Sequence, residues 1–513
     1  SDDLLASNGT TIPHRTNIPR DDYPTRRTLS SRIMVNLIVI LFTFFVQFTD
    51  KSGSDKVALS QVALDKRAAR SITIDSMDYA VSPVYIDSLR QMNCHIHHFS
   101  RWMNGVSIEA DSATIQAIAE WSFVDTIYLT RSTGRDIISD IAKHKNASIQ
   151  IDDEIQTNQQ IEQLNLHLLH NAGFEGQGIT IAIIDGGFQN INHLSAFDNI
   201  REQILGIFDT TDDTDSITGY TGSHGTKCFS TIAAITTEFK GAATAAQYYL
   251  IRSEEYRTES PKEMDNWVVA IELADSLGVD IVSSSLGYAM FDDPRFTLSY
   301  ADIDGKTTRC SRAAEIAAAK GLLVVVAAGN EGNSAWHYIS APADAENILT
   351  VGAVDPTGQI ATFSSWGPSA DGRVKPEVCA IGNQTEVINP INNNLTKGNG
   401  TSFACPIIAG MAACLWSAIP HASNLDIRDI IIQSSDRFYN PHDQYGYGIP
   451  NAWKAFNSVS SRLDKIEQEK ESTPKKIFIN GVLWIMHNGE YYNIMGQKKG
   501  KLTTSHRYNL LPL

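Results

Sequence analysis

Ile179-Thr180-Ile181-Ala182-Ile183-Ile184-Asp185-Gly186-Gly187-Phe188 is an apolar run that ends on an acid and a glycine turn. Such a short run, bounded by turn chemistry, reads as a strand buried on both faces. Four further runs share the texture, at residues 248–251, 280–286, 322–328 and 348–354. Between them lie helical patterns; in one, Met264, Trp267, Val268, Ile271, Ala274 and Leu277 recur at three- and four-residue steps. Two-sided strands alternating with helices predict an α/β fold around a mostly parallel sheet. In such sheets the chemistry sits where strands end, and Asp185 stands at one such end.

The rest of the composition bounds the answer. The chain has 513 residues, with 42 Lys and Arg against 58 Asp and Glu, a formal net charge of −16. That length suggests roughly two to four domains. With 42% hydrophobic residues, wholesale disorder is excluded. The acidic balance argues against nucleic acid as a partner. Six cysteines, none in a C-x-x-C pair, argue against a disulfide scaffold and a structural zinc site.

Two more segments carry chemistry. Gly222-Ser223-His224-Gly225-Thr226-Lys227-Cys228 precedes a small-residue run, and Gly398-Asn399-Gly400-Thr401-Ser402-Phe403-Ala404-Cys405-Pro406 precedes an apolar one. Pro406 is expected in the first turn of a helix, where its missing N–H costs least. Ser402 then sits at a helix N-terminus, where a developing oxyanion meets the positive end of the dipole and a free N–H.

Together these blocks resemble the subtilisin-like serine proteases, in chain order Asp, His, Ser, over about residues 160–460. The resemblance implies a three-layer subtilisin-like fold and a serine endopeptidase acting through an acyl-enzyme. Ser402 would attack, His224 would take its proton, and Asp185 would hold the imidazole tautomer. Asn330, in Val324-Val325-Val326-Ala327-Ala328-Gly329-Asn330, would share the oxyanion hole with the Ser402 N–H. Ser285, Leu286 and Gly287 would pair with an extended polypeptide substrate, and Ala327, Ala328 and Gly329 would wall the primary specificity pocket. The sequence departs from the family at Gly186, where Ser or Thr is usual after the acid, and at Lys227, Phe403 and Cys405. The alternative is a catalytically silent relative that binds peptides in the same groove. A nucleotide-binding fold is disfavoured, because no G-x-G-x-x-G opens a helix after the first strand of the large unit.

The domain reading follows. Residues 1–43 form a leader-like segment. Its apolar run, residues 33–46, has the length of a secretory signal core but lies far from the first residue. A true start at Met34, a short membrane anchor and a buried strand are the other readings, and no stable span is expected after processing. Residues 44–130 read as a small α+β unit, and the resemblance makes it a ferredoxin-like inhibitory propeptide, the chain's own partner. Helices are expected at residues 57–70 and 84–92. Residues 131–165 are a linker with the activation cleavage, and 166–460 the catalytic domain. Residues 461–513 hold a linker and a three-stranded meander at 477–479, 482–486 and 491–495, whose texture resembles C-terminal sorting segments of secreted Bacteroidetes proteins. The expected location is therefore outside the cell or on its surface.

Three clusters remain. His95, His97 and His98 lie on a predicted strand, whose alternation puts His95 and His97 on one face and His98 on the other. No metal site is expected there. No cofactor is expected, with calcium at Asp209-Thr210-Thr211-Asp212-Asp213-Thr214-Asp215 the one alternative to a solvated loop. Cys228 and Cys405 flank His224 and Ser402 in sequence, which raises thiol regulation against the simpler reading of buried packing thiols.

Overall fold

The computed structural model describes residues 41–132, 158–211, 215–219 and 222–459, with five backbone strands between residues 475 and 510. The first 40 residues, residues 133–157 and residues 460–474 lie outside that description, and with them most of the proposed leader and cleavage linker.

The first unit runs β1 (Phe42–Phe48), α1 (Gln61–Ala69), α2 (Pro83–Arg90), β2 (Cys94–Ser100), β3 (Gly105–Ala110), α3 (Ser112–Ala119) and β4 (Val124–Ser132). Its sheet is antiparallel in the order β2-β3-β1-β4, the ferredoxin-like arrangement. The described end of the apolar run, residues 42–46, is therefore part of a central strand, while residues 33–40 lie outside the described residues. The run's unbroken apolar character has a packing cause. Val46 and Phe48 face the unit's own helices with Tyr85, Ile86 and Leu89, whereas Phe45 faces the large unit. The first helix starts at Gln61 rather than 57, because the Ser60 side chain caps it by accepting from the Ala63 N–H. In β2 a register shift between Ile96 and His98 breaks the expected alternation. The His95 and His97 rings still meet edge to face, with centroids 4.8 Å apart.

The large unit begins with α4 (Gln159–Glu162) and α5 (Leu166–Asn171). Ile161 and Leu164 are already part of its core, upstream of residue 166. It continues through β5 (Thr180–Asp185), β6 (Ile204–Asp209), α6 (Ser223–Ala233), β7 (Gln247–Arg252), α7 (Pro261–Leu277) and β8 (Ile281–Ser284). Next come α8 (Arg309–Ala319), β9 (Leu323–Ala327), β10 (Leu349–Val354), β11 (Val378–Ile381), the hairpin β12 (Thr385–Ile388) with β13 (Leu395–Gly398), α9 (Thr401–Ala418) and α10 (Asn424–Ser434). Seven parallel strands lie in the order β11-β10-β9-β8-β5-β7-β6.

Alternation along β5 makes the three layers. Ile181 and Ile183 pack with Phe229, Ile232, Ile408 and Met411 of α6 and α9. Ala182 and Ile184 pack with Trp267, Ile271, Ala313 and Ala317 of α7 and α8. Each large side chain buried this way contributes about 1.5–3 kcal/mol. Helix α9 is long and apolar enough to cross a membrane, yet it is a core helix of this layer. The order reverses at β5: the chain goes to β6 and β7 on one side, then to β8 and onward on the other. The crevice at that reversal is where a site is expected.

The tail has five strands, not three: β14 (Lys475–Ile479), β15 (Val482–His487), β16 (Glu490–Tyr492), β17 (Lys498–Lys501) and β18 (Tyr508–Leu510). Strand β18 returns to pair with β14, closing an edge that a meander leaves open.

The first unit lies across α7 and α8. The Glu272 carboxylate accepts from Ser100 Oγ (2.6 Å) and from the Arg101 and Trp102 N–H groups (2.9 and 3.1 Å). Arg67 bridges Asp78 of its own unit to Asp275 of α7, at 2.8 Å to each. Lys66 and Arg70 both reach Asp280. Arg309 of α8 lies over the Phe45 and Tyr128 rings.

Candidate active site

Asp185 ends β5 fully buried. Its Oδ1 accepts from the Gly186 N–H (2.7 Å) and lies 2.8 Å from His224 Nδ1. The backbone N–H of Gly186 serves Oδ1 alone; with no hydroxyl on residue 186, the buried Oδ2 has no hydrogen-bond partner among the described residues. His224 is the second residue of α6, and Gly225 lets this helix come so close. A Cβ at Gly225 would lie 2.3 Å from Gly187 O and 3.0 Å from Asp185 Cβ, contacts no other residue can make.

Ser402 is the second residue of α9, which starts at Thr401 behind Gly400. Pro406 therefore lies inside the helix, one turn beyond Ser402, and not in its first turn. A proline there cannot donate to the Ser402 carbonyl, four residues back. Ser285, just after β8, fills the gap: its hydroxyl donates to Ser402 O at 2.8 Å. The Ser402 hydroxyl lies 3.4 Å from Ser285 O. The next side chain, Phe403, has its ring centroid 6.1 Å from that of His224. That contact ties the starts of α6 and α9 together.

Asn330 follows β9 beyond Gly329, whose φ of +109° suits only glycine. Its Oδ1 accepts from both the Thr401 N–H (2.9 Å) and the Thr401 hydroxyl (3.0 Å). The Asn330 amide nitrogen and the Ser402 N–H each lie 3.7 Å from a Cβ position built on Gly400. Two donors thus converge beside Ser402. Leu286 and Gly287 follow β8, and Ala327 and Ala328 end β9, its neighbour in the sheet. Asp185, Ser285 and Asn330 therefore stand at the same edge of three adjacent strands.

The flanking thiols are buried. Cys228 Sγ lies 3.7 Å from His224 Nδ1, and burial together with the Asp185 charge pushes its pKa well up. Burial pushes the Cys405 thiol up to about 12, while its Sγ donates to Ser284 O (3.5 Å). Among the described residues two sets of donor atoms converge as a cation would require: Asp185, His224 and Cys228, and Glu254, Glu259 and Glu263. The proposed calcium loop lies partly outside the described residues. Its Asp209 already holds Arg252 and the Thr211 N–H (2.9 Å).

The roles of Thr401 and of the Ser285 hydroxyl were missed from sequence. Pro406 was a readable signal for the second, since it announces an unpaired carbonyl at 402. The acidic rim at 254–263 left only a diffuse excess of glutamate in the sequence.

The fold brings Asp185, His224, Ser402 and Asn330 to element ends at one edge of the sheet, and comparison with known proteins gives the family. Residues 176–448 match the subtilase family, and residues 43–147 match the peptidase S8 propeptide domain of Bacteroidota. The chain belongs to the subtilase family and is a serine endopeptidase carrying a propeptide domain. It is 29% identical to subtilisin E of Bacillus subtilis over 301 residues, which are 58% of this chain and 70% of that protein. It is 28% identical to a subtilisin of Bacillus pumilus, over 58% of this chain and 97% of that one. A thermostable alkaline protease of Halalkalibacterium halodurans is 27% identical over 369 residues, covering 68% and 91%.

Proposed function

We propose that this chain is the zymogen of an exported serine endopeptidase whose triad is Asp185, His224 and Ser402. The observation that carries the reading is the 2.8 Å contact of His224 Nδ1 with a fully buried Asp185 carboxylate. That contact fixes the tautomer whose Nε2 accepts the Ser402 proton. The hydroxyl oxygen then bonds to the substrate carbonyl carbon, and the carbonyl oxygen becomes an oxyanion held by the Ser402 N–H and the Asn330 amide. His224 returns the proton to the leaving amine as the peptide C–N bond breaks, leaving an acyl-enzyme that water hydrolyses. Ser285, Leu286 and Gly287 form one binding wall, and Ala327, Ala328 and Gly329 line the pocket for the residue before the scissile bond.

The unit over α7 and α8 acts as inhibitor until it is cut away within residues 131–165. The subtilisins among the relatives support export, as does the Bacteroidota propeptide match. The test is direct. Ser402→Ala in the full chain abolishes both self-cleavage and peptide hydrolysis, and an organophosphonate labels the wild type at Ser402 alone. Hydrolysis that survives Ser402→Ala in pure protein overturns the triad.

A further inference from the structure

Strand β4 ends at a place that bears on substrate choice. Helix α7 follows β7, so its N-terminus lies at the same sheet edge as Asp185. There the loop 253–260 is tied to the site twice: the Ser253 N–H donates to Asp185 O (3.1 Å), and the Tyr288 hydroxyl donates to Glu254 Oε1 (2.6 Å). Tyr288 directly follows the Ser285, Leu286 and Gly287 wall. The first unit crosses α7 from Asp275 and Asp280, held by α1, to this end, where β4 stops.

The last two residues of β4 both find carboxylates. Arg131 Nη1 pairs with Glu255 Oε2 at 3.0 Å, and Ser132 Oγ donates to Asp293 Oδ2 at 3.0 Å. The rim they meet is acidic: residues 253–263 and 291–295 hold six carboxylates against three cations. Glu255 is largely buried and held in place, its N–H bound by Glu263 Oε1 (2.8 Å) and its other oxygen by Lys262. Its Oε2 takes the guanidinium of the first unit together with the Thr258 hydroxyl (3.3 Å).

We propose that Glu255 is a specificity-determining residue that selects a basic side chain, upstream of the scissile bond, in polypeptide substrates. Arg131 occupies its place in the zymogen. When the first unit departs, a cationic side chain of a substrate running along the same wall takes the place of Arg131 on Glu255 Oε2, beside the Thr258 hydroxyl. An isolated surface ion pair is worth little, but this acceptor is buried, oriented and surrounded by like charge. The inference rests on the endopeptidase reading above.

The experiment uses activated enzyme and a peptide library in which each position upstream of the cleaved bond carries Arg, citrulline, Ala or Glu in turn. Citrulline keeps the shape of arginine and removes its charge. At one upstream position Arg is expected to exceed citrulline in kcat/KM by about tenfold, with Glu poorest. Glu255→Gln is expected to erase the Arg–citrulline difference in kcat/KM, and Glu255→Asp to keep part of it. Equal rates for Arg and citrulline at every upstream position overturn the inference while leaving the endopeptidase reading intact. So does a preference unchanged in Glu255→Gln. No Ser402-dependent hydrolysis of any peptide overturns both.

Discussion

Thr401 grips Asn330 twice, through its N–H at 2.9 Å and its hydroxyl at 3.0 Å, both on the carboxamide oxygen. With that oxygen engaged, the amide nitrogen is the end that the proposed mechanism assigns to the oxyanion. Asn330→Ala should lower kcat about 100- to 1,000-fold with little change in KM. Thr401→Val keeps the N–H contact and removes the hydroxyl, so about a tenfold loss in kcat is expected. Steady-state kinetics on one peptide checks both; a rise in KM at constant kcat would mean that Thr401 shapes binding instead.

Ser285 repairs the helical hydrogen bond that Pro406 cannot make. Removing its hydroxyl leaves the buried Ser402 carbonyl without that donor, at a cost of about 1–3 kcal/mol. Ser285→Ala should therefore lower both the melting temperature and kcat. Adding Pro406→Ala restores an N–H one turn on and should recover part of the stability. Two independent, additive losses would show that the two residues are not coupled.

Much of this was legible in the chain itself. The five apolar runs at 179–184, 248–251, 280–286, 322–328 and 348–354 each became a parallel strand, because two-faced burial leaves no polar alternation to mislead. Asp185, His224, Ser402 and Asn330 stood out in the sequence because each sits at an element boundary marked by glycine. What escaped notice depends on tertiary contact. Strand β6 carries the apolar run Ile204 to Phe208, broken by Gly206, and its residues are all at least partly exposed because it lies at the sheet edge. The run at 33–46 has the length of a signal core, yet its end belongs to a strand whose second apolar face is covered by another unit, which no local pattern reveals. Pro406 was placed a turn too early because the helix start was drawn after Ser402, not at Thr401.

The interface under the first unit hinges on Glu272. Its fully buried carboxylate takes one hydroxyl and two backbone N–H groups from residues 100–102. Glu272→Ala strands those donors, each at about 1–3 kcal/mol. The full-length variant should activate at least tenfold faster than wild type, followed by electrophoresis of the processed chain. An unchanged activation half-time would place the hold elsewhere, on the Arg67 and Arg70 pairs.

Thiol regulation of the site is disfavoured by burial. Cys228, Cys310, Cys379, Cys405 and Cys414 are buried, and each has its pKa raised by that burial. Iodoacetamide at pH 7.5 should leave peptide hydrolysis unchanged and label Cys94 first, the one cysteine that is part exposed. Mass spectrometry that finds Cys228 alkylated along with loss of activity would reinstate the idea.

Glu386 on β12 should make stability fall as pH rises. Burial holds its carboxyl at about 7, against an ordinary value of 4.5, despite Lys397 across the hairpin. Between these values the folded chain keeps a proton that the unfolded chain has lost. Stability therefore decreases from about pH 4.5 to about pH 7 and levels off above, by about 2 kcal/mol after allowance for solvent screening. Glu386→Gln, measured in the Ser402→Ala background to prevent autolysis, should remove that slope. Its melting temperature should match the parent near pH 4.5 and exceed it at pH 8. Parallel curves for the two proteins across that range would show that Glu386 titrates at its ordinary value in the fold.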